Sequence, residues 1–301
     1  MLNLLDAKYE RSDTQGMNKL PPEKRAQVLG LMVEGVSLRA ITRLTGAGKN
    51  TLARLLVTAG RACAEYQNKT LRGLNCKRVQ VDEIWSFVYA KQKNVPADKK
   101  GVPGYGDVWT WTAIDADSKL AVSWLVGSRD GEAAKLFMND VAGRLAHRVQ
   151  LTSDGHAPYL WAVEDAFGTE IDFAQLVKIY GQPIESEKRY SPAQCIGAKR
   201  QRVTGNPDPK HISTSFVERQ NLTMRMNIRR FTRLTNAFSK KIENHAHSVA
   251  IHFMHYNFVR QHQTTRLTPA MAAGVTNRLW ELSDVVKMIE AWEASQMKKA
   301  A

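Results

Sequence analysis

Arg78-Val-Gln-Val-Asp-Glu-Ile-Trp-Ser-Phe-Val-Tyr89 decides the fold of this chain. Its β-branched and aromatic residues read as a buried strand. Val79, Val81, Glu83, Trp85 and Phe87 share one face, and Gln80, Asp82, Ile84, Ser86 and Val88 the other. The carboxylates of Asp82 and Glu83 therefore leave the strand on opposite sides. Both faces are partly apolar, so the pattern alone does not choose which of the two faces a site.

Working outward, residues 78 to about 181 read as α/β. Strands are expected at 78–89, 107–115, 119–127, 148–153 and 174–179, with Asp115-Ala-Asp-Ser118 as a hairpin turn. Helices are expected at Gly131–Ala146 and Ala157–Ala166. Three strands, helix, strand, helix, strand, helix implies a mixed sheet covered by helices. Lys91–Gly106 reads as a polar loop, and Gln182–Ser213 as a long basic loop punctuated by Pro and Gly, a length that favours a functional role.

Before this domain, Pro21 opens a helix with Val28, Leu29, Met32 and Val33 on one face. Ser37 caps a short second helix, Leu38 to Leu44. Gly46 and Gly48 bracket a turn, and a third helix runs from Lys49 to about Ala59. That is a helix-turn-helix pattern, with Lys49, Asn50, Ala53 and Arg54 facing outward. Gly46-Ala-Gly-Lys49 is no phosphate-binding loop, because Arg43 and Asn50 stand where a glycine and a Ser or Thr are required. The expected organisation is a flexible tail at 1–20, the helix-turn-helix at 21–60, a basic connector with helical character at 61–77, an α/β domain at 78–238 and a helical region at 239–301. Within the last lie an aromatic-rich helix, Ser239–Gln263, and a final amphipathic helix, Ser283–Lys298.

The chain has 301 residues, with 43 Lys and Arg against 29 Asp and Glu, a formal charge of +14. Such a surplus favours a polyanionic partner, of which nucleic acid is the commonest. Cys63, Cys76 and Cys195 are too few and too scattered for a disulfide framework or zinc knuckle, so a reducing cytoplasm is expected. No apolar run approaches the ~18 residues of a membrane span. Met1–Gly16 lacks an apolar signal core.

Two further carboxylates stand out. Asp154 closes Val149-Gln-Leu-Thr-Ser-Asp-Gly155, a strand ending at a glycine. Glu218 sits in a helix, Ser215 to Arg230, that carries Arg219, Arg225, Arg229 and Arg230, with Arg233 just beyond. Strand Asp, distant strand-end Asp and helical Glu is the order used by ribonuclease H-like enzymes that hold two divalent metals over a phosphodiester. Hard cations take oxygen ligands, and two of them ~3.5–4 Å apart activate the attacking oxygen and stabilise the leaving one. The arginines suit a phosphate track. His156 and His211 are candidate accessory groups near Asp154 and Glu218. His245 and His247, at i and i+2 of a helix, point apart and read as structural.

Val81-Asp-Glu-Ile-Trp-Ser-Phe-Val, Asp107-Val-Trp-Thr-Trp-Thr-Ala-Ile-Asp115, Thr152-Ser-Asp-Gly155, Phe216-Val-Glu-Arg-Gln-Asn-Leu-Thr-Met-Arg225 and Tyr256-Asn-Phe…His262-Gln-Thr-Thr-Arg-Leu-Thr-Pro-Ala-Met-Ala-Ala-Gly274 closely resemble insertion-sequence transposases of the DDE class, nearest to the family of the first-named insertion sequence. The resemblance spans roughly residues 75–275. It implies a ribonuclease H-like catalytic domain that cleaves element ends and transfers their 3′-hydroxyls into target DNA. Asp82, Asp154 and Glu218 are the implied catalytic ligands of two Mg2+ ions, with Mn2+ as a substitute, and Asp82 is favoured over Glu83. It also implies double-stranded DNA as partner, a homo-oligomer on DNA, and a bacterial, nucleoid-associated location. Many relatives carry an N-terminal zinc finger whose Cys-x-x-Cys spacing is absent here, so Lys49, Asn50 and Arg54 must carry more of end recognition. The alternatives are a DNA-binding regulator without catalysis, and a ribonuclease H-like nuclease without strand transfer.

Overall fold

In the computed structural model, which describes residues 19–181, 195–232 and 236–300, β1 (Arg78–Val88) lies inside a six-stranded mixed sheet. The remaining strands are β2 (Gly106–Asp115), β3 (Ala121–Gly127), β4 (Gln150–Ser153), β5 (Asp172–Tyr180) and β6 (Cys195–Thr204), in the order β3-β2-β1-β4-β5-β6. β1 is antiparallel to β2 and parallel to β4, and β4 is parallel to β5. This topology, with helices on both faces, is the ribonuclease H-like α/β fold expected of the sequence.

The two faces of β1 meet different layers. On the Val79, Val81 and Glu83 side lie α4 (Gly131–Ala142) and α5 (Pro158–Phe167), whose Phe137 and Tyr159 pack on the buried Trp111 of β2. On the Gln80 and Asp82 side lie α6 (Ser215–Asn227) and α7 (Ile242–Met254). The Gln80 side chain accepts hydrogen bonds from the backbone N–H groups of Phe216 and Val217, at 2.8 and 3.2 Å, and so fixes the start of α6 over the strand. Phe253 of α7 stacks on Trp124 of β3. A π-helical turn, His255–Val259, extends α7, and its Asn257 amide pairs with both backbone groups of Ala121.

The N-terminal helices are α1 (Pro22–Val33), α2 (Leu38–Thr45) and α3 (Lys49–Thr70). Ser37 caps α2 through the Ala40 N–H, and Gly46 ends it in the left-handed conformation, φ 70°, which glycine adopts without a Cβ clash. α3 does not stop near Ala59 but continues to Thr70 as one helix of 22 residues. Its far end is held by Arg144, fully buried, which pairs with Asp140 and donates to the Leu71 carbonyl and the Asn68 side chain. A short α8 (Pro269–Ala272) precedes α9 (Leu282–Ala300). α9 receives the buried Arg25 of α1 on Glu290 and Glu293, so the first and last helices pack together.

Two further expectations are corrected. Residues 195–204, placed in a long loop, form β6, antiparallel to β5; residues 182–194 of that loop lie outside the described residues. The Glu218 helix ends at Asn227, and Arg229–Phe231 form a separate 3-10 turn. Among the described residues no helix is long and apolar enough to cross a membrane.

Candidate active site

Gln80 pairs with Thr152 across the parallel β1–β4 ladder. Two residues further along each strand, that register sets Asp82 beside Asp154, at the end of β4. Sheet register alone therefore joins residues 72 positions apart. The carboxylates of Asp82, Glu83 and Asp154 each offer an oxygen within 4.8 Å of the others.

The three are held differently. Asp82 accepts from the Asn221 amide of α6 at 2.9 Å and from the Glu83 backbone N–H at 2.8 Å. Burial, with the charges of Asp154 and Glu83 added, pushes its carboxyl up to about 7. Asp154 accepts from the His156 backbone N–H at 2.9 Å. Glu83 has its side chain almost fully buried, where it receives Arg129 Nε at 3.0 Å. Burial, with the Asp154 charge added, holds its pKa above the usual carboxylate value, against the opposing hydrogen bond to Tyr159 and the Arg129 cation. Arg129 comes from the loop between β3 and α4, stands over the Trp109 ring, and brings Nη2 to 4.0 Å from Asp154.

Glu218, on the first turn of α6, lies outside this group of three. Its Oε2 pairs with Lys178 of β5 at 2.6 Å, and its Oε1 accepts from the Thr214 hydroxyl. Its charge nonetheless reaches Asp82, adding to the upward push there. Asn221, one helical turn on from Glu218, binds Asp82 directly, so α6 presents both residues to the same place.

A hard divalent cation suits this donor set. Three carboxylate oxygens converge, Arg129 is joined to them by an ion pair, and burial together with the neighbouring carboxylates raises the pKa of Asp82. Asp82 and Asp154 are two of the three residues that could hold such a divalent cation. Glu83 is the unforeseen member: the strand alternation that turns its backbone away from Asp82 still leaves its longer side chain within reach of the cluster.

Other sequence candidates are dispersed. Lys49, Asn50 and Arg54 are exposed on the first turns of α3. Arg219 is exposed on α6, and Arg225 and Arg229 are half-buried. Arg230 turns inward instead: its guanidinium donates to the Ser239 and Ser248 hydroxyls, and burial lowers its pKa to about 10. Arg233 lies outside the described residues. His156 engages the site through its backbone, while its ring packs on Trp111 and Tyr159 and burial lowers its pKa. His211 sits at the opposite end of β1, 2.5 Å from Arg78, and takes no part in the cluster. His245 and His247 are buried in α7, as a structural role requires.

Sequence reasoning missed Arg129, Lys178 and Asn221. Helical spacing from Glu218 could have found Asn221. The other two depend on a loop path and a cross-sheet neighbour that no local spacing encodes.

No protein-family model matches the chain, and no curated protein matches it. Among solved structures it is similar to the piggyBac transposase synaptic complex with hairpin DNA, at 11% identity and a TM-score of 0.40, covering 99% of this chain and 76% of that one. It is also similar to the Mos1 transposase paired-end complex with the left transposon end, at 12% identity and 0.23, covering 56% and 63%. The Mos1 strand transfer complex matches at 10% identity and 0.24, covering 80% and 79%.

Proposed function

We propose that the chain is a metal-dependent DNA transposase of the DDE class, related to the family of the first-named insertion sequence. The observation that carries this reading is the convergence of Asp82 and Asp154 on one edge of a ribonuclease H-like sheet, with Glu218 and Asn221 presented by the crossing helix. Asp82, Asp154 and Glu218 are its metal ligands, Glu218 after release from Lys178. Two Mg2+ ions, or Mn2+ in their place, would supply charge neutralisation and an activated oxygen at the scissile phosphate.

The chain's own residues do the rest. Asn221 holds the Asp82 carboxylate in a fixed orientation, and Arg129 does the same for Glu83. Lys178 sets positive charge beside the site, where a phosphodiester backbone must lie. Water hydrolyses the strand at an element end, and the freed 3′-hydroxyl attacks a target phosphodiester, joining to its 5′-phosphate as the target strand's own 3′-hydroxyl leaves. Lys49, Asn50 and Arg54 read the ends, Arg219, Arg225 and Arg229 track phosphate, and the active assembly is a homo-oligomer on DNA.

The test is incubation with labelled DNA carrying the sequences that flank its gene, a target plasmid, and Mg2+ or Mn2+. Nicks with 3′-hydroxyl ends and joined products are expected, both absent with Asp82→Ala or Asp154→Ala. Nicks without joining would reduce the protein to a nuclease. Binding without either product would make it a regulator.

A further inference from the structure

The α6 side of the sheet does not stop at the carboxylates. Gln80 pairs with Thr152, Thr152 with Ala174, and Ala174 with Arg202, so all four stand on the face that carries Asp82. Along β5 and β6, alternation puts Lys178 and Arg200 on that same face. α6 covers β1 and β2 there. Beyond Ala174 the cover ends: Leu176 and Lys178 are half-buried, and Arg200 and Arg202 are exposed. Lys178 is itself bonded to Glu218, which ties this strip to the site.

Cys195-Ile-Gly-Ala-Lys-Arg-Gln-Arg-Val-Thr204 carries three cations and no acid. The strand has no burial to stabilise it and rests on its ladder with β5. A bare, cationic edge strand resists pairing with another sheet edge, and alternation puts two of its charges, Arg200 and Arg202, on one face.

We infer that the α6-side surface of the β5–β6 ribbon, through Lys178, Arg200 and Arg202, is a binding track for the phosphate backbone of duplex DNA leading into the carboxylate cluster. This rests on the proposed action on DNA, but the binding needs no chemistry. Charge complementarity selects the occupant, since β6 carries three cations and no acid.

The full-length protein should be titrated with a random-sequence duplex in EDTA across a salt series. Arg200→Glu/Arg202→Glu should bind about ten-fold or more weakly at 0.15 M salt, and flatten the salt slope by about two units. The effect should be equal on unrelated sequences. Arg200→Gln/Arg202→Gln should move both readouts in the same direction with an unchanged melting temperature, which separates lost contact from lost fold. Lys298→Gln/Lys299→Gln, the same charge removed from the exposed end of α9, should leave the slope unchanged. An equal effect from both glutamine pairs overturns the track in favour of diffuse charge. Unchanged affinity and slope in the glutamate pair overturns it outright, as does an altered oligomeric state at unaltered DNA affinity, which would assign the ribbon to a second copy. Absent cleavage and joining would defeat the transposase reading and leave these binding outcomes intact.

Discussion

Lys178 Nζ lies 2.6 Å from Glu218 Oε2, and this pair separates Glu218 from the three carboxylates that converge around Asp82. For Glu218 to act as a ligand, the pair must open. Glu218→Ala should then lose cleavage as Asp82→Ala and Asp154→Ala do, by at least about 100-fold, since charge stabilisation worth several kcal/mol is removed. Duplex binding should persist in all three. Glu83→Gln should retain measurable cleavage. Single-turnover rates on end-labelled DNA decide it: full activity in Glu218→Ala with none in Glu83→Gln would hand the third position to Glu83.

Arg129 is the cation paired with a nearly inaccessible glutamate. Arg129→Ala leaves Glu83 buried with its pKa already raised, at a cost of about 2 kcal/mol after allowance for the partial exposure of Arg129. A carboxyl whose folded pKa is raised destabilises increasingly as pH climbs through it. The penalty, measured as the urea-unfolding difference from wild type, should therefore be larger at pH 8 than at pH 5. The double variant Arg129→Ala/Glu83→Gln should recover much of it, and a failure to recover would mean that Arg129 acts through Trp109 packing alone.

What the chain discloses by local pattern and what it withholds divide along physical lines. The buried strands around Asp82 and Asp154 are legible because burial imposes alternation and apolar runs. The α2 cap at Ser37 and the turn at Gly46 are legible because caps and left-handed residues have chemical signatures. β6 is not legible: it is exposed along its length, so nothing selects an alternating pattern. Residues beyond Arg61 read as helical, but their continuity with α3 is masked by polar residues such as Gln67 and Asn68, which face α7 and Arg144. Arg129, Lys178 and Glu83 needed three-dimensional register, because each meets its partner from a different element.

Four histidines of the α7 segment should make the fold acid-sensitive. Burial lowers His245 and His252 to about 3, and His247 and His255 to about 4. The unfolded chain takes up these protons near 6.5 while the native state does not, so stability falls as pH drops from about 6.5 toward 4. Each group contributes up to about 1.4 kcal/mol per pH unit. Unfolding free energies at pH 7.5, 6 and 5 should trace the decline, and His255→Gln should reduce its slope by one proton's worth. A stability flat over that range would place these rings in contact with water.

Gly60 marks the closest crossing of α3 and α7. A Cβ there would sit 2.3 Å from His247 Cβ and 2.7 Å from its Cα, and neither atom can rotate away. Gly60→Ala must push the helices apart, with a loss of about 1–3 kcal/mol despite the better helix propensity of alanine. Gly127→Ala, with open space at its Cβ, should be near neutral by comparison. Chemical denaturation of both variants checks the crossing.

Asn50 and Arg54 stand exposed one helical turn apart at the start of α3, behind the Gly46 turn. Side chains so placed on the second helix of such a motif can reach base edges, while α1 is anchored to α9 by Arg25. Asn50→Ala and Arg54→Ala should each reduce preference for element ends over random duplex by about 1–3 kcal/mol, the worth of one base contact. Affinity for random duplex should change little with Asn50→Ala, which alters no charge. Competition binding with end and scrambled DNA at fixed salt makes the measurement. Should Asn50→Ala weaken both DNAs alike, the residue supports the helix start rather than reading sequence. Should neither substitution change the preference, end recognition belongs to another surface of the chain.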